Sequence, residues 1–439
     1  MVGRRSAGRL VLALAGLTGL AALLAAPAPV RAAGPLTARV VAVENAFPDA
    51  VVFTVEAQSS TAPVTSVNLL VGIGPAKGEQ SVALSFDKAL SVNGVVRFPA
   101  RAVPAGATLR YTLQAEDAAG NRTATERQSL WYADTRYQWS ELRDEPLTVH
   151  YAGNAAADAR KVLAGARDAQ GNTGRLLGVD FRPFDVLLYN SSRDAVGGQT
   201  RAQDVTGVRS RAFSDYALVQ IVNEPRNGSI EDQSRHEVTH LFVGWAAPEA
   251  APVPAWLNEG FAVWGQRDAD TLFRKALALA IEQREVPPLR TLVAFPAQLE
   301  ANFFSYVQAW SVVSYLMDTA GPGKFREVIQ ALSDGEEGAL QRVYGLTLDT
   351  LDAAWRAKVG LAERSYDRVR PTPLPVFGAA EPATSTGAPR GADVRTIEAP
   401  VSIGVVVTGV MTLITLAAGA AWALRRNARR RSSKTEASL

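Results

Sequence analysis

The run His236-Glu237-Val238-Thr239-His240 ties its stretch of chain to one backbone conformation. On an α-helix, side chains four residues apart share a face about 6 Å apart along the axis, so both imidazoles can address one point in space. Only three histidines occur in the chain, and two of them lie in this pentapeptide. Paired imidazoles suit zinc, and Glu259, reached after 18 intervening residues in the run Trp256-Leu257-Asn258-Glu259-Gly260-Phe261-Ala262, offers a carboxylate as third ligand. Three protein ligands leave a fourth position for water and substrate, the mark of catalytic rather than structural zinc. Glu237 stands one step round the same helix, placed to take a proton from that water without being a ligand itself. The spacing therefore predicts one Zn²⁺ per chain, with Glu237 as general base.

Local signals agree with the two helices this requires. Ser229-Ile230-Glu231-Asp232 predicts a capping box, and Val238, Leu241, Phe242 and Trp245 form an apolar stripe to bury. Pro254 suits the first turn of a second helix carrying Glu259. Asn258 is placed either to accept the free ring N–H of a ligand histidine or to lie on the helix surface.

From Ala217 to Gly345 the chain resembles the gluzincin metallopeptidases of the aminopeptidase N type, within the thermolysin-like superfamily, on HExxH, 18 residues and then WLNEGFA. The resemblance implies zinc ligands at His236, His240 and Glu259, a catalytic base at Glu237 and hydrolysis of peptide bonds. It also implies a transition-state stabiliser heading a later helix, and Tyr306 falls in that place. Tyr315, nine residues on, is half a turn out of phase, so the two cannot face the metal together. The aminopeptidase string Gly-x-Met-Glu-Asn, which binds the substrate's amino terminus in that family, does not occur here. In its place stands a strand-like run, Tyr216 to Val222, offering an edge to which an extended peptide can add; Glu224 lies too close to His236 to replace the missing residue. The third histidine, His150, sits in the alternating run Leu147 to Tyr151 and reads as a half-buried strand residue, with a second oxyanion donor as the other reading.

The ends of the chain predict an export and anchoring plan. Arg4, Arg5 and Arg9 precede an apolar stretch and a small-residue cleavage site, giving a signal peptide over 1–33. Uncharged 401–424 predicts a transmembrane helix, and the basic tail 425–439 behind it predicts an extracytoplasmic catalytic part, a cytoplasmic C-terminus and the cell membrane as a partner. The formal charge of +3 includes four basic leader residues and six basic against one acidic residue in the tail. Without them, 36 basic and 42 acidic residues remain, a net −6 that gives no reason to expect nucleic acid as a partner. With no cysteine, neither disulfides nor thiolate ligands are available.

Between these ends, 34–135 carries β-rich runs separated by turn residues and predicts an all-β sandwich of immunoglobulin or fibronectin III type, a spacer or brace. Residues 136–368 mix strands and helices and predict an α+β thermolysin-like catalytic domain; 369–400 is a Pro/Ala/Thr-rich linker. The whole reads as a membrane-tethered zinc metallopeptidase acting on peptides or proteins. The rival class is a surface scaffold keeping a vestigial zinc fold.

Overall fold

The computed structural model describes residues 34–75, 78–198, 210–223, 228–267, 269–283, 286–295 and 299–364. Two antiparallel sheets open the chain. Strands β1 (Leu36–Ala46), β2 (Ala50–Ser59) and β5 (Ser91–Pro99) pair in the order β1-β2-β5. Strands β4 (Gln80–Ala83), β3 (Val64–Ile73), β6 (Thr108–Asp117) and β7 (Arg122–Ala124) pair in that order, with β8 (Gln128–Trp131) also on β6. Alternation explains the sandwich: Val51, Phe53 and Val55 on β2 and Leu109, Tyr111 and Leu113 on β6 are buried in one core, and the residues between them turn outward.

A mixed sheet follows, in the order β12-β13-β11-β10-β9, made of β9 (Trp139–Asp144), β10 (Leu147–Ala152), β11 (Phe184–Tyr189), β12 (Arg211–Phe213) and β13 (Leu218–Val222). Strands β10, β11 and β13 run parallel and both edges are antiparallel. The inner strands are mostly apolar on both faces because both faces are covered, and the polar residues His150, Asp185 and Gln220 on the sandwich side are hydrogen-bonded there. Val149, Val186, Leu188, Val219 and Ile221 pack under helices, whereas Leu187, Tyr189, Leu218 and Val222 belong to the sandwich core. The sandwich is thus a brace that completes the second face of the sheet. Gln220 of β13 reaches through it, donating from Nε2 to Ala105 O at 2.8 Å and Gly198 O at 3.1 Å. The expected edge strand at Tyr216 to Val222 is corrected: β13 pairs on both sides, and β12 forms the edge.

Helix α1 (Ala156–Ala169) passes through a π-turn, Gln170–Gly174, into Arg175–Leu177. Helix α2 (Ile230–Ala246) lies across it at Gly165, where a Cβ would meet Glu231 O and the Ser234 side chain, so the backbones approach as only glycine permits. Helices α3 (Ala255–Trp264), α4 (Ala269–Gln283), α5 (Leu299–Gln330, kinked at Gly321), α6 (Gly335–Tyr344) and α7 (Leu348–Val359) complete the chain.

One part of the expected fold is corrected. No helix among the described residues is long and apolar enough to cross a membrane, so a transmembrane helix is no part of the described architecture. The longest, α5, has 32 residues, but Gln308, Ser311, Asp318, Lys324, Arg326 and Glu327 interrupt its apolar face and Gly321 breaks its axis. The expected span 401–424, with the leader 1–33, the linker 369–400 and the tail 425–439, lies outside the described residues.

Candidate metal centre

Two helices build the centre. Ser229 caps α2 by accepting from Asp232 N at 3.2 Å. The reciprocal half of the expected capping box is missing, because the Asp232 carboxylate turns to Arg235 and Arg267 instead. Val238, Leu241, Phe242 and Val243 bury one face of α2 on the sheet, which turns His236, Glu237 and His240 toward α3. Pro254 sits one position before α3, and its carbonyl accepts from the backbone N–H groups of Leu257 and Asn258. Helix α3 lies against α5 at Gly260, where a Cβ would strike the Ala309 carbonyl, and this close packing holds the neighbouring Glu259 inward.

The donors converge. His236 Nε2 and His240 Nε2 are 3.1 Å apart, and Glu259 Oε2 is 3.3 Å from the first and 3.4 Å from the second. Zinc held tetrahedrally at about 2.0–2.2 Å from its ligands sets donor atoms about 3.3–3.5 Å apart, so this set fits one such ion. His240 Nδ1 lies 2.9 Å from Asn258 Oδ1, where the amide oxygen accepts the ring proton and leaves the Nε2 lone pair facing inward. Of the two roles open to Asn258, the structure selects this one.

Burial governs the electrostatics. His236, Glu237 and Glu259 are at most 1% exposed. Burial pushes the Glu237 carboxyl up to about 8 against the opposing pull of His240, and neither of its oxygens has a hydrogen-bond partner among the described residues. For Glu259 burial acts in the same upward sense, but His240 and His236 overcome it and bring the group down to about 2. Burial depresses His236, whereas for His240 the neighbouring Glu259 outweighs burial and raises it to about 9. A buried carboxylate left without a partner beside three converging donors is expensive for a purely structural helix. A cation in the cluster would lower the Glu237 value, since it favours the charged carboxylate.

The other sequence-derived candidates divide. The Tyr306 ring is buried 6.5 Å from that of His236, centroid to centroid, and packs edge-on against Phe295. It does not head its helix, since α5 begins about two turns earlier. Tyr315 is half-buried in the packing of the main core and is not brought to the cluster. His150 is on the opposite face of the sheet: Nε2 meets Asp185 Oδ1 at 2.7 Å and the ring stacks on Trp131 of the sandwich at 4.3 Å. A second oxyanion donor is therefore excluded at that position. The sequence reading passed over Arg211, buried on β12, whose positive charge favours the ionised form of Glu237, and over the side-chain role of Asp232. Both sit in ordinary-looking segments with no local signature.

A model of the Peptidase MA superfamily matches residues 166–360, the stretch that holds all of these helices. That stretch, somewhat under half of the chain, is thus similar to a peptidase superfamily. Among solved structures, yeast LTA4 hydrolase is similar at 12% identity over 73% of this chain and 65% of its own, with a TM-score of 0.29. Aminopeptidase A of Legionella pneumophila is similar at 10% identity over 71% of this chain and 46% of its own, with a TM-score of 0.28. The chain spans less than two thirds of the length of either. No curated protein sequence matches it.

Proposed function

We propose that this protein is a zinc metallopeptidase of gluzincin type that hydrolyses peptide bonds. His236, His240 and Glu259 hold one Zn²⁺, which supplies Lewis acidity toward the scissile carbonyl and acidifies water. Asn258 orients the His240 ring. Glu237 takes the proton of the attacking water and passes it to the leaving amine. Tyr306 donates its hydroxyl to the oxygen that gains charge as the carbonyl becomes tetrahedral. Peptides and proteins are the substrates, and the lack of a Gly-x-Met-Glu-Asn string supports cleavage that does not require a free amino terminus.

One observation carries the reading: three converging donors beside a buried carboxylate that has no hydrogen-bond partner among the described residues. The test measures zinc stoichiometry of the full chain and digests a peptide library in free-amine and acetylated forms. One zinc per chain is expected, with cleavage of both forms that a chelator stops and added zinc restores. A zinc-loaded chain that cleaves neither form overturns the proposal in favour of a scaffold; trimming of the free-amine form alone overturns the statement about the amino terminus.

A further inference from the structure

Helices α2 and α3 meet at a second contact, one turn before His236. Asp232 stands four residues ahead of His236 and is buried. Its Oδ1 accepts from the Arg267 backbone N at 3.0 Å and from Arg235 Nη1 at 2.5 Å, and its carbonyl takes Gln266 Nε2 at 3.5 Å. Gln266 and Arg267 follow the end of α3 almost directly. Asp168, in the last turn of α1, closes the ring. Its Oδ2 accepts from Arg235 Nε at 2.6 Å and Arg267 Nε at 2.8 Å, and its Oδ1 from Arg267 Nη2 at 2.5 Å. Two aspartates and two arginines join α1, α2 and the segment just past α3.

Such a ring is a poor source of stability, because the cost of desolvating its charges offsets most of their attraction; apolar side chains would hold the helices together as well. Charged hydrogen bonds do something apolar contacts cannot, which is to specify one register. A slide of α3 along α2 by one residue breaks the Arg267 N bond and the two-pronged Asp168–Arg267 contact together. We propose that this clasp is a positioning device for the metal centre: Asp232, with Arg235, Asp168 and Arg267, sets how far α3 lies along α2 and thereby holds Glu259 against the two histidines. The inference rests on the zinc reading above. Asp232 and its partners act on the donor set through the helices that carry it.

The test is a double-mutant cycle on the full chain. Zinc affinity is measured by competition with a chromophoric chelator, and the visible spectrum of the Co²⁺ form reports the ligand set. Asp232→Ala is expected to weaken zinc binding about 10- to 100-fold, the usual effect of losing a residue that orients a ligand, and to move the Co²⁺ spectrum toward that of Glu259→Ala. Asp232→Asn, which keeps an acceptor for the Arg267 N–H, should recover most of the affinity. In a Glu259→Ala background, Asp232→Ala should cost nothing further. Equal losses in both backgrounds, or unchanged affinity in Asp232→Ala, overturn the proposal. Should Asp232→Ala not fold, Arg267→Ala, whose mostly exposed side chain makes the two-pronged contact with Asp168, runs the cycle on that half of the clasp, and unchanged zinc affinity there likewise overturns the proposal. A wild-type chain that binds no zinc overturns the zinc reading and the clasp's purpose together, whereas normal zinc binding without the Glu259 dependence removes the clasp alone.

Discussion

The two faces of the five-stranded sheet use histidine in opposite ways. On the sandwich face, His150 is held by two neighbours: its Nε2 pairs with Asp185, Trp131 stacks on its plane, and Trp131 itself is fixed by its Nε1 bond to Gly106 O at 3.1 Å. Buried Asp134 is likewise satisfied, accepting from Arg136 three times and from Tyr189 Oη at 3.2 Å. On the helix face, His236 and His240 point their Nε2 atoms at each other and at Glu259, while His236 Nδ1 and both Glu237 oxygens have no hydrogen-bond partner among the described residues. Buried polar groups are normally hydrogen-bonded, so the satisfied histidine reads as architecture and the unsatisfied cluster as a place prepared for something to bind. One chain, one sheet and one residue type give both outcomes, and the difference lies in the partners.

Four measurements bear on that contrast, and the largest effect is expected at the base. Glu237→Gln keeps size and removes the carboxylate, so turnover should fall about 10² to 10⁴-fold with zinc stoichiometry unchanged; near-normal turnover by the zinc-loaded variant would remove Glu237 from the chemistry. Tyr306→Phe should lower kcat about 10² to 10³-fold with zinc retained, the size of one oxyanion donor. Steady-state kinetics decide this, and a fall in affinity for substrate with kcat intact would make Tyr306 a packing residue.

The third measurement is the pH dependence of stability in the metal-free chain. Burial raises Glu237 from 4.5 to about 8, so the folded state holds a proton that the unfolded state releases. Its stabilising contribution is whole below pH 4.5 and is lost as pH rises through about 8. Metal-free Glu237→Gln should therefore gain on the wild type between pH 5 and 8, by on the order of a few kcal/mol, and gain no more above that window. Denaturant titrations at stepped pH check it, and a gap that narrows with rising pH would reverse the assigned sign. The smallest effect belongs to the other face. His150→Ala should cost about 1–3 kcal/mol of stability through the lost hydrogen bond and stack, with kcat within twofold of wild type. A large loss of turnover with folding intact would show that the sandwich face reaches the chemistry.

The pairing of the two histidines was legible because it is local. Four residues on a helix place His236 and His240 on one face whatever the rest of the chain does, and the apolar stripe through Val238, Leu241 and Phe242 dictates which way that face turns. The alternation along β2 and β6 announced a sandwich for the same reason. Strand Phe184–Tyr189 is buried on both sides, and its one charged residue, Asp185, is half-buried against His150.

Contacts made across long stretches of chain were not legible. Trp131 finds His150 through the packing of one sheet on another, Arg235 finds Asp168 across 67 residues, and Gln220 finds Ala105 across 115. Nothing in the neighbourhood of these residues marks them, since an exposed-looking aspartate or arginine has the same local sequence whether it meets water or a partner. The chain by itself therefore determined the candidate donors and the two helices that carry them. Tertiary structure alone decided that β12 rather than β13 forms the edge, that His150 serves the brace rather than the metal, and that Asp232 turns from capping its helix to gripping the one beside it. Local spacing fixes angles about a single axis, but the distance between two axes is set only when their surfaces meet.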